Sequence, residues 1–256
     1  MLLLIDVGNT NTVLGISSGE DLVADFRLST HPVRTADEYG IAVIALLRES
    51  RIEAAAIEGV ALSSVVPPLT PLFQELVRER FGLEPLVIEP GVRTGMPILY
   101  ENPHEVGADR IVNGVAAFAR YGGPAIVIDF GTATTFDVVT AKGEYLGGVI
   151  APGLGISADA LFDHAARLPR VDIKRPARVI GRNTVASMQS GLFFGYAGLV
   201  EGIVRRVQQE LGEPAKVIAT GGLATTFGQE FSFVDAFDPQ LTLHGLRLIF
   251  EKNRAV

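Results

Sequence analysis

Residues Leu3 to Val13 read LLIDVGNTNTV, and residues Ile126 to Phe136 read IVIDFGTATTF. Aligned on Asp6 and Asp129, Ile5 matches Ile128, Gly8 matches Gly131, Thr12 matches Thr135, and Asn9 faces Thr132. Each stretch predicts an apolar strand, a tight polar turn and a return strand. A Gly-Glu pair at Gly19-Glu20 recurs, one residue out of step, as Gly143-Glu144. The second copy starts near mid-chain, so the pattern predicts two duplicated halves with a cleft between them, residues 1–120 and 121–256. A turn of this kind aims backbone N–H groups and small hydroxyls at one point, which suits an anion. Asp6 stands where a phosphate would arrive, which is favourable only with a cation between them. An ordinary Asn- and Gly-rich hairpin is the other reading of the first copy taken alone.

Strands are expected at about Leu2–Asp6, Val13–Ser17, Leu22–Leu28, Val60–Val65 and Pro85–Ile88. Helices are expected at Thr35–Leu47, where Asp37 and Glu38 complement the helix dipole, and at Leu69–Phe81. A loop with Tyr100 leads to a helix from Ala108 to Tyr121, closed by Gly122-Gly123. The second half repeats three strands at Ala125–Asp129, Thr134–Val139 and Gly147–Ile150. A helix at Ile156–Arg167 follows, then a long one at Thr184–Glu210 with Thr184 as N-cap. A strand at Val217–Thr220 and a helix at about Leu241–Lys252 close the chain. Alternating strands and helices argue for an α/β fold.

A formal charge of −7 argues against non-specific nucleic-acid binding, which needs a basic surface. No cysteine is present, so neither disulfides nor thiol chemistry arise. That agrees with a reducing cytoplasm. MLLLID is too short and too soon closed by Asp6 to be a signal peptide. The apolar stretch Val185–Val204 carries Gln189, Ser190 and Glu201, against a membrane span.

The remaining motifs divide between chemistry and packing. G-x-x-x-x-G-K-[ST] is absent, so phosphate binding falls to the hairpins. Gly153-Leu-Gly155-Ile-Ser-Ala158 fits G-x-G-x-x-A, yet Pro152 and its mid-repeat position favour a close-packed turn over a dinucleotide site. Gly107-Ala108-Asp109-Arg110 opens a helix. There an acid is ordinary, but the cation Arg110 is disfavoured unless an anion compensates it. Asp109 is then placed to act as general base toward a hydroxyl. Gly191, Gly195, Gly198 and Gly202 allow close helix approach, either within the chain or in a dimer. Thr220-Gly221-Gly222 is either a strand-to-helix turn or a place of close approach to a flat ligand. The four histidines lack metal-ligand spacing.

Taken together, DVGNTNTVLG, Gly107-Ala-Asp-Arg110, DFGTATTFDVV, GGVIAPGL and IGRNT resemble, in order and spacing, the type III pantothenate kinases over nearly the whole chain. The resemblance implies two duplicated actin-like (ribonuclease H-like) α/β domains with mixed sheets flanking a nucleotide cleft. It implies a cytoplasmic homodimer that phosphorylates pantothenate with ATP, the first step of coenzyme A biosynthesis. It puts the ATP phosphates on Asp6, Val7, Gly8, Asn9, Thr10, Asn11, Thr12, Val13 and Thr132. Mg²⁺ falls to Asp6 through water, and a monovalent cation, K⁺ or NH₄⁺, to Asp129. Asp109 becomes the general base. Tyr100, Gly107, Ala108, Asp109 and Arg110 line the pantothenate site, with Thr184 reaching it from the partner subunit. A kinase or phosphatase for another small substrate, an actin- or chaperone-like ATP switch, and a non-catalytic nucleotide module are the competing readings.

Overall fold

A computed structural model describes residues 1–227 and 230–254. Contacts divide the chain into two units, residues 1–119 with 240–256, and residues 120–239. The chain passes from the first unit to the second at the end of a helix. The last helix, expected with the second half, packs instead within the first.

In the first unit, strands β1 (Leu2–Val7), β2 (Asn11–Ser18), β3 (Asp21–Ser29), β4 (Gly59–Ser64) and β5 (Leu86–Val87) form one sheet ordered β3-β2-β1-β4-β5. The β1–β2 and β2–β3 pairs are antiparallel, while β4 runs parallel to β1 and β5 parallel to β4. Strand β1 is apolar at every position before Asp6 because both faces of the sheet are covered. Side chains alternate along a strand. Leu3, Ile5 and Val7 therefore meet Tyr39 and Val43 of α1 (Ala36–Glu49) and Phe73 and Leu76 of α2 (Leu69–Phe81). Leu2 and Leu4 meet Val112 of α3 (Ala108–Tyr121) and Leu243, Leu246 and Ile249 on the last helix. Thr35 caps α1 in a reciprocal box: Glu38 N–H donates to the Thr35 hydroxyl, and Thr35 N–H to Glu38 Oε2 at 2.8 Å. Glu38 thus has a local structural task beyond complementing the helix dipole.

In the second unit, β6 (Ala125–Phe130), β7 (Ala133–Val139), β8 (Tyr145–Pro152), β9 (Lys216–Thr220) and β10 (Ala236–Phe237) are ordered β10-β9-β6-β7-β8. Counted from β8, that is the topology of the first sheet, with the same antiparallel and parallel pairs. Even the register irregularity recurs, between Ile16 and Ser17 in β2 and between Val138 and Val139 in β7. The duplication is therefore structural. Its register corrects one alignment: Val7 pairs with Thr12, but Phe130 pairs with Thr134. The second turn is one residue shorter, so Thr134, not Thr135, is the counterpart of Thr12. Both are fully buried, and both hydroxyls bond inward, Thr12 to Thr30 at 2.9 Å and Thr134 to the Tyr196 hydroxyl.

Strand β8 runs on to Pro152 beyond its expected end. As an edge strand it tolerates a proline at its last position. Helix α4 (Leu154–His164) follows directly. The expected long helix is three segments: α5 (Thr184–Ser190), a π turn over Gly191–Gly195, and α6 (Tyr196–Leu211). Asn183, not Thr184, caps α5; its extended backbone lets Oδ1 accept from Ala186 N–H at 2.8 Å. The core of this unit joins Ile126, Ile128 and Phe130 to Phe193, Tyr196 and Val200. Phe130, Phe227 and Phe231 stack within it. The last helix of the chain is α7 (Leu241–Arg254), two residues longer than expected.

Candidate functional site

In open α/β sheets, ligands bind beyond the carboxyl ends of the parallel strands. In the first unit that edge carries the end of β1, the end of β4 and the start of α3. Asp6 is half-buried and stands in register with Val13 on one side and Ser63 on the other. The turn that follows is closed by Gly8 N–H donating to Asn11 C=O at 3.0 Å, and held from just past the end of β3 by Thr30 N–H donating to Thr10 C=O at 2.9 Å. The run Asp6–Val13 thus separates into two kinds of residue. Asn9, Thr10 and Asn11 are exposed and Gly8 is half-buried, with Asp6 at the rim. Val7 is buried in the core, Thr12 is committed to Thr30, and Val13 packs toward α3 and α7. Those three have mainly backbone groups to offer a ligand.

Asp109 belongs to the same edge. Val65 N–H donates to Val7 C=O at 3.0 Å, just past Asp6, and a methyl built on Gly107 would lie 3.7 Å from Val65 Cγ1. Gly107 C=O accepts from Arg110 and Ile111 N–H at 3.1 and 3.3 Å and so starts α3. Asp109 Oδ1 accepts from Arg110 N–H at 2.8 Å, folding the carboxylate back over the helix start. Burial pushes the Asp109 carboxyl above the usual carboxylate range, although that N–H and the Arg110 charge pull it down. A carboxyl held high is one poised to take up a proton. Arg110 is 7% exposed, so the cation at this helix start lies inside the protein. Tyr100 is half-buried in the loop between β5 and α3, ahead of a short 3₁₀ turn at Pro103–Glu105.

Gly107 has a specific reason to be glycine: an added Cβ would sit 2.6 Å from Asp109 Oδ1. We expect Gly107→Ala to leave the fold intact, since a side chain can yield, but to displace the carboxylate. Were that carboxylate a reacting group, misplacing it by an ångström would cost roughly 100-fold in turnover. Steady-state kinetics at saturating substrates check this, and a near-normal kcat would refute it.

The second unit has the matching edge. Asp129 is half-buried, in register with Thr135 and Thr220. Thr132 is exposed in the turn, and its carbonyl accepts from Gly153 N–H at 3.1 Å. Two glycines shape this edge. A Cβ on Gly153 would meet the carbonyl oxygens of Thr132 and Gly131 at 2.1 and 2.6 Å. One on Gly221 would meet Asp129 Oδ1 at 2.5 Å. The G-x-G-x-x-A match is therefore a close-packed turn under the second hairpin. The Gly221 approach is made to Asp129 itself. Their sequence signal was a glycine directly after a strand; its target was set by the fold.

Thr184 is exposed at the start of α5, on the rim of a concavity of about 840 Å³. Leu161, Leu168, Gly181, Arg182 and Met188 also line it. The expected site residues thus fall on three places: the β1–β4–α3 edge, the β6–β9 edge, and the α5 rim. Among the described residues no three His, Cys, Asp or Glu side chains cluster as a metal site. A hard cation held by one carboxylate, with waters and phosphates completing its shell, needs no such cluster. The hydroxyl and carbonyl oxygens beside Asp6 and Asp129 fit that chemistry. No helix among the described residues is long and apolar enough to cross a membrane.

The family model that matches, over residues 2–206, is described as type III pantothenate kinase. A type III pantothenate kinase of Moorella thermoacetica is 57% identical over 253 residues, covering 99% of this chain and all of that one. Among solved structures, a conserved putative Baf family transcriptional activator from Campylobacter jejuni aligns with TM-score 0.63 at 20% identity, over 99% of this chain and 100% of the other. The activator of 2-hydroxyisocaproyl-CoA dehydratase from Clostridium difficile, solved with bound ADPNP, aligns with TM-score 0.55 at 13% identity, over 100% and 97%. These structural likenesses establish the duplicated, actin-like α/β fold.

Proposed function

The chain belongs to the type III pantothenate kinase family, and from that premise we propose how its residues divide the work. The reaction moves the γ-phosphoryl group of ATP to the pantothenate hydroxyl, giving 4′-phosphopantothenate and ADP, the first step of coenzyme A biosynthesis. Phosphoryl transfer demands positioning and charge neutralisation more than covalent help. The observation that carries our reading is the edge on which Asp6 and Asp109 both stand, one at a strand end and one at a helix start.

Asp109 acts as the general base. Its buried carboxyl takes the proton of the pantothenate hydroxyl as the oxygen attacks phosphorus. Gly107, Ala108, Arg110 and Tyr100 surround the acceptor, with Arg110 supplying a fixed positive charge. The first turn, Asp6 to Val13, receives the ATP phosphates, and Thr132 contributes from the second. Asp6 holds Mg²⁺ through water, and Asp129 a monovalent cation, K⁺ or NH₄⁺. When bound, these cations offset the charge of the phosphates and of the transferring group. An acidic chain, at formal charge −7, needs such cations to accept ATP.

The protein works as a homodimer in the cytoplasm, with Thr184 completing the partner's pantothenate site. Gly191, Gly195 and Gly198 support the dimer, because a Cβ on each would meet nothing within 4 Å outside its own helix. That face is open to another helix. No membrane or nucleic-acid partner is required.

ADP should appear in a coupled assay only when pantothenate is present, and faster with K⁺ or NH₄⁺ than with Na⁺. ATP hydrolysis at a similar rate without pantothenate would defeat the assignment to this acceptor. The same preparation should scatter light as a dimer; a monomer at assay concentration would remove the shared site.

A further inference from the structure

Ser63 and Ser64 end β4 side by side, and the structure treats them differently. The Ser64 hydroxyl accepts from Val66 N–H and donates to Val66 C=O, both at 3.3 Å, closing a local turn. Ser63 is fully buried, and its hydroxyl has no hydrogen-bond partner among the described residues. A buried hydroxyl left unpaired loses its hydration for nothing in return. Such a group calls for an explanation, and its position offers one.

Ser63 is in register with Asp6 on the parallel neighbour strand. Alternation puts them on one face, because Leu4 and Ala61, two residues back on each strand, share the cluster with Val112 of α3 and Leu243 of α7. Neighbouring strands lie about 4.8 Å apart, so a side-chain rotation spans the gap between hydroxyl and carboxylate. The arrangement is duplicated. In the second unit Asp129 has the buried Thr220 at the same register position on its parallel neighbour. Each central-strand aspartate therefore has a hydroxyl residue on the strand that continues toward its site.

We propose that Ser63 is the positioning residue of Asp6, its hydroxyl donating a hydrogen bond to the Asp6 carboxylate in the nucleotide-bound state. That bond fixes the direction in which the carboxylate faces Mg²⁺ and its water. The inference rests on the reading of Asp6 as the magnesium-facing carboxylate. Among the described residues no other acceptor competes for the Ser63 hydroxyl.

The test uses the full chain as Ser63→Ala, Ser63→Thr and Asp6→Asn. Binding of ADP is titrated by calorimetry across a Mg²⁺ series, and the ligand-free melting temperature is measured. Ser63→Ala should raise the Mg²⁺ concentration for half-maximal ADP binding about tenfold, as expected for a hydrogen bond to a charged group. Its ligand-free melting temperature should hold or rise, since no bond is lost there. Ser63→Thr, matching Thr220, should restore the wild-type Mg²⁺ requirement. A Ser63→Ala protein with unchanged Mg²⁺ requirement beside an Asp6→Asn protein with a raised one would overturn the Ser63 role and spare the Asp6 reading. An unchanged requirement in Asp6→Asn would overturn both. A lowered ligand-free melting temperature in Ser63→Ala, or threonine no better than alanine, would mark Ser63 as structural and likewise overturn the proposal.

Discussion

Replacing Asp109 by Asn should lower kcat by a factor of roughly 10²–10⁴, the usual contribution of a positioned base, while the protein becomes no less stable. The two effects share one cause. Burial raises the carboxyl's pKa in the folded state, which means that its ionised form is held there at a cost. A group with a raised folded pKa contributes most to stability below its unfolded pKa, and that contribution is lost as pH rises through the folded value. Wild type should therefore lose ground to Asp109→Asn as pH increases across that window. The gap in melting temperature should be widest near neutrality and close on acidification. Asparagine keeps an oxygen that can accept the Arg110 N–H, so the helix start survives. In wild type, kcat/KM should fall on the acid side through a pKa above the ordinary carboxylate value. Calorimetry and a pH–rate profile check both halves. Near-normal turnover of Asp109→Asn would end the base assignment, and a large loss of stability would end the account of its pKa.

Gly221→Ala should destabilise the second unit strongly. Gly221 has φ +91°, a backbone state that side chains resist, and its Cβ would meet Asp129 Oδ1 at 2.5 Å and Phe130 N at 2.6 Å. Backbone in a central strand does not yield. Strain and overpacking together should cost roughly 3 kcal/mol, a fall in melting temperature of roughly 6–12 °C for a chain of this size. The surviving enzyme should need more K⁺ or NH₄⁺, because the methyl pushes on the carboxylate assigned to that cation. Gly222→Ala is the control: no atom lies within 4 Å of its Cβ, and a change within about 1 kcal/mol is expected. Equal melting temperatures for the two variants would show that the Gly221 approach carries no such load.

What was legible in the sequence follows from local physics. Helices α2 and α3 begin and end at the expected residues, because amphipathic periodicity defines the run and Gly82 and Gly122, both at positive φ, stop it. The repeated hairpins were legible because Asp6 and Asp129 interrupt otherwise unbroken apolar strands. Other features depended on partners distant in the chain. Nothing local marks the π turn at Gly191–Gly195, since helix, π turn and helix share one apolar period. The two-residue strand β10 exists only because β9 lies beside it.

By itself, then, the sequence determined the duplicated α/β plan and the family, and it marked the candidate aspartates, since those are carried by periodicity and by residue types that local structure seldom needs. Only the tertiary structure decided the rest. It turned Thr12 inward and aligned it with Thr134, because register depends on turn length. It packed α7 against β1, and it set Gly221 on Asp129 and Ser63 beside Asp6. Each is a contact across strands or helices far apart in the chain, and such contacts exist only once burial has chosen which faces meet.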